Sequence, residues 1–185
     1  MIVGAVLCGG RSSRMGTDKA LIPVDGVPMA RRVADALREG GCAVVAAVGG
    51  DRRALEALGL DVVDDPRQGS GPVAGVLASL ESWPDAAAVV VVACDLPYLG
   101  GDTVRRLLAA LMEHPGSLAA VAVSDRVQPL CVAWRPSASP HLVEALEAGA
   151  LRLHAVLAEM ATVEVSVNPQ DVTNVNVPAD LQTRL

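Results

Sequence analysis

The sequence predicts an α/β fold: a Rossmann-like, doubly wound, mostly parallel sheet with helices on both faces. In the first half of the chain, short valine-rich runs that are apolar on both sides alternate with longer segments of helical period. The chain has 185 residues, and we expect a single domain over residues 1–185. Active sites in such sheets lie beyond the carboxyl ends of the strands, so motifs that directly follow a strand are the first functional candidates.

Four buried parallel strands are expected in the first half, because each run is short, valine-rich and apolar on both faces. These strands cover residues 2–8, 43–48, 61–63 and 87–93. Four helices are expected where apolar residues recur every three or four positions. These helices cover residues 28–39, 51–58, 71–83 and 103–114. Gly40 and Gly41 end the first helix, and Asp102 is the expected N-cap of the fourth.

The second half of the chain has a different pattern, with strands on either side of a short turn. Strands are expected at 118–123 and 130–134, and the turn at 124–126 makes them a candidate hairpin. Ser139 and Pro140 are expected to begin a helix as its cap and first residue, and a late strand is expected at 162–167. A short last helix is expected from Pro178. We expect the later strands to add an antiparallel piece at one edge of the sheet.

The composition excludes several classes of function. The net charge is −6 and aromatic residues are 2%, which argues against general nucleic-acid binding, since that needs basic tracks and stacking platforms. The uncharged run at 86–94 is too short to span a bilayer, which takes about 20 helical residues, so no membrane association is expected. The four cysteines form no CxxC pair and lie in or beside apolar runs. Buried, reduced thiols and a cytoplasmic location are therefore expected.

The most informative segment, residues 7–19, follows the first strand directly and reads LCGGRSSRMGTDK. Its glycines permit tight turns and a close approach of backbone N–H groups to a phosphate, and its arginines and Lys19 add positive charge. The pattern is neither a Walker A loop, since Lys19 does not follow Gly16 directly, nor GxGxxG, since Gly9 and Gly10 are adjacent. The sequence predicts an anion-binding loop; a solvated turn with ordinary surface charges is the alternative.

Carboxylates follow two of the predicted strands. Asp95 comes directly after the apolar run 86–94, where a carboxylate is costly unless a positive partner meets it. Mg²⁺ carrying phosphate oxygens is such a partner, and a helix cap or turn is the alternative. Asp64 and Asp65 end the strand at 61–63, and adjacent side chains on an extended chain point to opposite sides. One of the two is expected to face the site, with a turn aspartate again as the alternative.

Two asparagines near the end of the chain share one face of an extended segment. Asn174 and Asn176 are separated by one apolar residue, so both amides point the same way. Together they offer several donors and acceptors to a polar ligand. Turn or capping chemistry is the alternative interpretation.

These motifs together resemble the MobA-type nucleotidyltransferases, the family of molybdenum cofactor guanylyltransferases. The loop at 7–19 is similar to the family signature LxGGxSxRMGxDK, although Cys8 stands where the family usually has Ala. The segments CDLPYL at 94–99, GPVAG at 71–75 and NVNVPADL at 174–181 are similar to the family's CDxPxL, GPLAG and NVNTPEDL, in the expected order. The resemblance covers nearly the whole chain and implies a nucleotidyltransferase A-type fold.

The resemblance implies an enzyme that transfers GMP from GTP to molybdenum-molybdopterin with Mg²⁺, releasing pyrophosphate and forming the guanine dinucleotide cofactor. Asp95 would hold Mg²⁺, while Arg14 and Lys19 would offset charge on the α-phosphate and the leaving pyrophosphate. The remaining expected contacts with GTP or with the substrate and metal region involve Leu7, Cys8, Gly9, Gly10, Asp65, Asn174 and Asn176.

The resemblance also points to residues on the pterin side of the site. These are residues 128–130 and 151–154, among which Arg152 is a candidate for meeting a phosphate. The three histidines are scattered and give no metal-ligand spacing, so we expect them on helix surfaces and at a helix end.

Two rival functions remain open. One is a related nucleotidyltransferase that uses CTP or charges a sugar phosphate or another small phosphate; Gly9-Gly10 and Asp18-Lys19 favour the guanylyl branch. The other is a nucleotide-binding regulatory module without chemistry, against which Lys19 and Asp95 argue. Transient contact with a molybdenum-insertion protein or with acceptor molybdoenzymes also stays open.

Overall fold

The computed structural model describes residues 1–9, 18–67 and 69–175 of the chain. These ranges contain nine strands and six α-helices. The strands are β1 (Ile2–Leu7), β2 (Pro23–Val24), β3 (Val27–Pro28), β4 (Val44–Val48), β5 (Asp61–Val63), β6 (Ala88–Ala93), β7 (Ala119–Val123), β8 (Val127–Trp134) and β9 (Thr162–Ser166). The helices are α1 (Met29–Glu39), α2 (Arg52–Ala57), α3 (Pro72–Ser82), α4 (Gly101–Glu113), α5 (Ser139–Glu147) and α6 (Leu153–Ala158).

The main sheet has seven strands in the order β5-β4-β1-β6-β8-β7-β9. Strand β1 lies between β4 and β6 and is parallel to both, with Leu7 opposite Val48 on one side and Ala93 on the other. The doubly wound, mostly parallel sheet predicted from the sequence is confirmed. Strands β1, β4, β5 and β6 lie where the valine-rich runs predicted them, to within one residue at either end.

The expectation of an antiparallel piece at one edge is wrong in its position. The antiparallel strand is β8, and it lies inside the sheet between β6 and β7. A tight turn joins β7 to β8, so these two strands must run in opposite directions. Residues Cys131–Trp134 are completely buried, so β8 needs strands and helices on every side and cannot lie at an edge. The edge beyond β7 is formed by β9, which is parallel to β7.

The helices cover both faces of the sheet, because alternate residues of each strand point to opposite sides. Along β6, Val90 and Val92 pack in the cluster that holds the apolar faces of α1 and α4. Val89 and Val91 pack in the opposite cluster with α3, α5 and α6. Both clusters are largely aliphatic, as the near-absence of aromatic residues requires. None of the helices in the described ranges has the length and apolarity needed to cross a bilayer.

Two predicted helix caps are wrong. Helix α4 begins at Gly101 with Gly100 as its N-cap, and Asp102 lies exposed in the first turn. Gly101 packs so closely against the end of α1 that an added Cβ would lie 2.8 Å from Glu39 Cβ, which allows the helix to start earlier. Ser139 is the first residue of α5 and its Oγ donates to Pro136 O at 2.8 Å. The cap position moves to Ala138 because a 3₁₀ turn already leads into the helix.

A short ribbon of β2 and β3 was not predicted from the sequence. Its turn is Asp25-Gly26, with positive φ angles of 50° and 79°. Such a dipeptide is a hairpin signal, and Gly26 takes this conformation without strain. The ribbon lies between the turn at Lys19–Leu21 and the start of α1, so it sets how these two elements meet. The last helix expected from Pro178 falls outside the described residues.

Candidate functional site

The site lies where the carboxyl ends of β1 and β6 meet at one edge of the sheet. Asp95 follows β6, and Lys19 begins the 3₁₀ turn that lies beyond β1 along the chain. Lys19 Nζ donates to Asp95 Oδ2 at 2.7 Å, although the two residues are 76 positions apart. Their side chains are only 16% and 18% exposed. The structure therefore brings together two of the three residues for which the sequence predicted a catalytic role.

The second oxygen of Asp95 has the character of an open ligand position. Oδ1 is buried and has no hydrogen-bond partner within the described part of the chain. An ionised oxygen in this state is costly unless a cation or a donor meets it. The donor fits Mg²⁺, which takes one or two carboxylates and completes its coordination with substrate phosphates and water. No cluster of three or more His, Cys, Asp or Glu occurs in the residues that the structure describes, so a metal here would depend on substrate oxygens.

The backbone at the end of β1 comes close to the end of β4. Cys8 N and Gly9 N both donate to Val48 O, at 3.0 and 3.2 Å. Gly49 has a φ of +68°, and a Cβ added there would lie 3.1 Å from Gly9 Cα. Because neither glycine has a side chain, the backbone of Gly9 is exposed at the surface of this edge. Leu7 and Cys8 are buried, so any contact that they make with a ligand would come from backbone atoms. Gly10 and Arg14 lie outside the described residues.

The two aspartates after β5 have different surroundings. Asp64 is exposed, and its Oδ1 accepts from Arg52 Nη2 at 2.8 Å. Asp65 is half-buried, and its Oδ1 accepts from Arg67 N at 2.9 Å, which is the turn chemistry named as the alternative. Strand β5 is an edge strand, separated from β1 by β4. The expected contact of Asp65 with nucleotide stays a prediction.

The segment that carries Asn174 is attached directly to the loop of Asp95. Val175 N donates to Asp95 O at 2.9 Å, and Val175 is buried while Asn174 is exposed. A hydrogen bond from Thr103 Oγ1 to Asp171 Oδ2, at 2.6 Å, holds the same segment to the first turn of α4. The structure therefore places Asn174 next to the residue whose backbone binds the loop of Asp95. Asn176 lies outside the described residues.

A cavity of about 380 Å³ lies beside Leu96, the residue that follows Asp95. It is lined by Leu96, Arg126, Val127, Gln128, Pro129, Leu130, His154 and Asn174. A neighbouring cavity of about 520 Å³ shares Arg126, Gln128 and Asn174 with the first. Residues 128–130, expected on the pterin side, do line this space. Arg152, the expected phosphate contact, is not among the described lining residues, and His154 from the same segment is.

Arg126 is the residue that reasoning from the sequence missed, because it was assigned only to a hairpin turn. Strand β8 runs antiparallel to β6, so its beginning lies at the same edge as the end of β6. Arg126, just before β8, therefore lines the same cavity as Leu96, the residue that follows Asp95. The available signal was the basic residue in the turn, but its meaning depended on the position of β8 in the sheet.

Cys8 and Cys94 are buried thiols near the site. Cys8 and Cys94 follow the paired residues Leu7 and Ala93 on neighbouring strands. The hydrogen bond with Cys94, followed by burial, raises the pKa of Cys8 well above its ordinary value. Burial also raises the pKa of Cys42 and of Cys131 to about 12. All four thiols are buried and free, as the sequence predicted, and those with raised pKa values stay protonated at neutral pH.

The chain is similar to known proteins in both sequence and structure. The profile of the MobA-like NTP transferase domain matches residues 4–165. The chain is 35% identical to a molybdenum cofactor guanylyltransferase of Rhodobacter capsulatus, covering 97% of this chain and 93% of that protein. It is 36% identical to a protein of the same name from Cupriavidus metallidurans, covering 89% and 84%. Among solved structures, molybdopterin-guanine dinucleotide biosynthesis protein A from Archaeoglobus fulgidus superposes with a TM-score of 0.78 at 25% identity, covering 99% and 96%.

Proposed function

The chain belongs to the MobA-like NTP transferase family, and we propose that it is a molybdenum cofactor guanylyltransferase. The reaction transfers GMP from GTP to the phosphate of molybdenum-molybdopterin and releases pyrophosphate. The name of the relatives from R. capsulatus and C. metallidurans supports this assignment. The observation that carries the chemistry is the partly buried Lys19–Asp95 pair, in which the ammonium binds one carboxylate oxygen and the other oxygen has no partner in the described part of the chain.

The reaction needs charge neutralisation and in-line positioning more than a protein nucleophile. The attacking phosphate is already an anion, so no strong general base is required. Asp95 Oδ1 would hold Mg²⁺, which when bound supplies Lewis-acid stabilisation to the phosphate oxygens. Lys19 orients the carboxylate through Oδ2 and puts a positive charge at the edge where the triphosphate would lie. Arg14 is assigned to the leaving pyrophosphate.

The two substrates would occupy opposite sides of Asp95. The backbone of Leu7, Cys8, Gly9 and Gly10 is assigned to the guanine nucleotide, together with Asp65. The cavity beside Leu96 is assigned to the acceptor, where Arg126 would meet its anionic phosphate and Gln128 its polar ring atoms. Asn174 lines that cavity and lies in the segment bound to Asp95 O, so it would lie between the two substrates, with Asn176 following it.

The test is Mg²⁺-dependent pyrophosphate release with molybdenum-loaded molybdopterin, comparing GTP with CTP as the donor. Release with GTP and not with CTP supports the proposal. Release with CTP moves the enzyme to the cytidylyl branch and keeps the roles of Lys19 and Asp95. No release with either donor, from folded protein that still binds nucleotide, contradicts transfer to this acceptor.

Three further expectations from the sequence stay predictions of this proposal. They are a single domain over the whole chain, a cytoplasmic location, and transient contact with acceptor molybdoenzymes or a molybdenum-insertion protein. The contact is expected on the face that opens the acceptor cavity, because the product would leave there. Exposed hydrophobic residues at the rim of that face include Val127, at 38% exposure.

A further inference from the structure

One guanidinium, that of Arg32 on α1, contacts several segments that meet behind the site. Its Nε donates to Pro97 O at 2.9 Å, and its Nη1 donates to Val24 O at 3.1 Å. Its Cζ lies 5.8 Å from the centre of the Tyr98 ring, within cation–π range. The side chain is 27% exposed, so these bonds are partly shielded from water.

Each of these segments leads directly to a residue of the site. Pro97 lies two positions after Asp95. Val24 is in β2, which follows the turn that Lys19 begins, and Ile22 O at the end of that turn accepts from Met29 N of α1 at 3.0 Å. Val24 and Tyr98 pack in one small apolar cluster with Val175, the neighbour of Asn174. Arg32 therefore joins the supports of Lys19, Asp95 and Asn174.

We infer that Arg32 is a positioning residue that keeps Lys19 and Asp95 at hydrogen-bond distance. The two residues sit on segments 76 positions apart, so their separation depends on what holds those segments to each other. The bridge from Pro97 O to Val24 O passes through one rigid guanidinium. A displacement of about 1 Å in such an arrangement can lower turnover about 100-fold. The activity readout rests on the proposed function, whereas the geometric readout below does not.

The two carbonyl bonds, and not the charge of Arg32, are the basis of this role. Its partner Asp25 has a side chain that is 77% exposed, at 3.3 Å, and ion pairs of this kind contribute little. A planar guanidinium reaches two carbonyls in fixed directions, which an ammonium on a flexible chain does not do. Lysine at this position is therefore expected to restore only part of the function.

Arg31 is a matched control on the same helix. Its Nη1 donates to a backbone carbonyl, Leu58 O, at 2.9 Å, and its Nε pairs with Asp35 at 3.0 Å. Leu58 precedes the edge strand β5, which β4 and β1 separate from β6, so this bond ties Arg31 to the β5 side of the sheet and not to the segment of Asp95. The variants Arg31→Met and Arg32→Met each remove a carbonyl-bound guanidinium from α1. Only Arg32→Met removes a guanidinium that binds the segments leading to Lys19 and Asp95.

Lys19 is the single lysine of the chain, which gives a direct measure of its environment. In the intact protein, acetylation of an ε-amine by an N-hydroxysuccinimide ester therefore reports Lys19 alone, and peptide mapping separates it from the α-amino group. A partly buried ammonium paired with Asp95 is expected to react slowly. We expect Arg32→Met to raise the rate of Lys19 acetylation severalfold, and Arg31→Met to leave it at the wild-type rate.

The experiment combines this labelling with kinetics and thermal unfolding of the full chain. Arg32→Met is expected to lower kcat for pyrophosphate release by about 10- to 100-fold, with KM for GTP changed less and the melting temperature lowered no more than by Arg31→Met. Equal acetylation rates in Arg32→Met, Arg31→Met and wild type overturn the inference. If the wild type shows no turnover, the proposed function fails and the labelling still decides on Arg32. If Arg32→Met does not fold, Arg32→Lys is compared with Arg31→Lys by peptide mapping of Lys19.

Discussion

Two ion pairs of nearly equal length occupy contrasting regions of the molecule. Lys19–Asp95 measures 2.7 Å between side chains that are 16% and 18% exposed, at the edge where β1 and β6 end. Arg52–Asp64 measures 2.8 Å between side chains that are 48% and 81% exposed, beside the edge strand β5. Because water surrounds the second pair, removing one of its partners should cost the protein little stability. In the first pair, removal of one partner leaves a partly shielded charge behind, so we expect a larger cost there.

The largest effect on turnover is expected when the carboxylate of the Lys19–Asp95 pair is removed. Asp95→Asn retains an oxygen for Lys19 but removes the charge that would hold Mg²⁺, so turnover should fall by about 100- to 1000-fold. Asp64→Asn is the control and should retain wild-type pyrophosphate release. Steady-state assays across Mg²⁺ concentrations make the measurement. Wild-type turnover in folded Asp95→Asn would remove Asp95 from the site.

The second prediction concerns stability and uses the cation of each pair. Lys19→Met leaves the partly buried carboxylate of Asp95 without its ammonium partner, and we expect the free energy of unfolding to fall by about 1–3 kcal/mol. Arg52→Met removes a pair that solvent already screens and should leave the unfolding midpoint at the wild-type value. Urea denaturation of the three proteins compares them. An equal loss in both variants would contradict the contrast between the regions.

The third prediction compares two arginines, Arg126 and Arg152, as contacts of the proposed acceptor. Arg126→Met removes the cation that lines the cavity beside Leu96, so KM for the acceptor should rise about tenfold while KM for GTP stays unchanged. Arg152→Met is the control, because Arg152 is exposed outside the described lining of that cavity. Initial rates at varied acceptor concentration test both. A rise in KM with Arg152→Met alone would restore the expectation drawn from the sequence.

The smallest expected effect concerns a buried group without an ionic partner. Burial first, and then the nearby Asp171, raises the pKa of Cys131 from its ordinary 9.0 to about 12. The folded protein favours the protonated form of this thiol. Because the folded pKa lies above the unfolded one, the contribution of the protonated thiol to the free energy of unfolding is complete below pH 9 and is lost as the pH rises towards 12. The free energy of unfolding should therefore decline over that range, and Cys131→Ala should reduce the slope. Identical slopes in the two proteins between pH 9 and 11 would contradict the assignment to Cys131.

Much of the fold was predictable from local pattern. The valine-rich runs of β1, β4, β5 and β6 are apolar on both faces, and only a buried parallel sheet accepts several such runs. Asp95 was predictable as a site residue because it follows β6 directly. The errors lie where a neighbour in space matters, as at Gly101, which begins α4 ahead of Asp102 at a position where the end of α1 leaves no room for a Cβ.

The sequence by itself determined the class of fold, the family resemblance and the two residues of the central pair. Strand period, glycine spacing and the motifs around Lys19 and Asp95 are local properties, and they are readable without coordinates. The position of β8, and with it the place of Arg126 in the lining of the cavity beside Leu96, could be read only from the tertiary structure. The tertiary structure also decided that Arg32 supports the site from behind. Both depend on contacts between segments far apart in sequence, which packing of the whole sheet selects and no local pattern encodes.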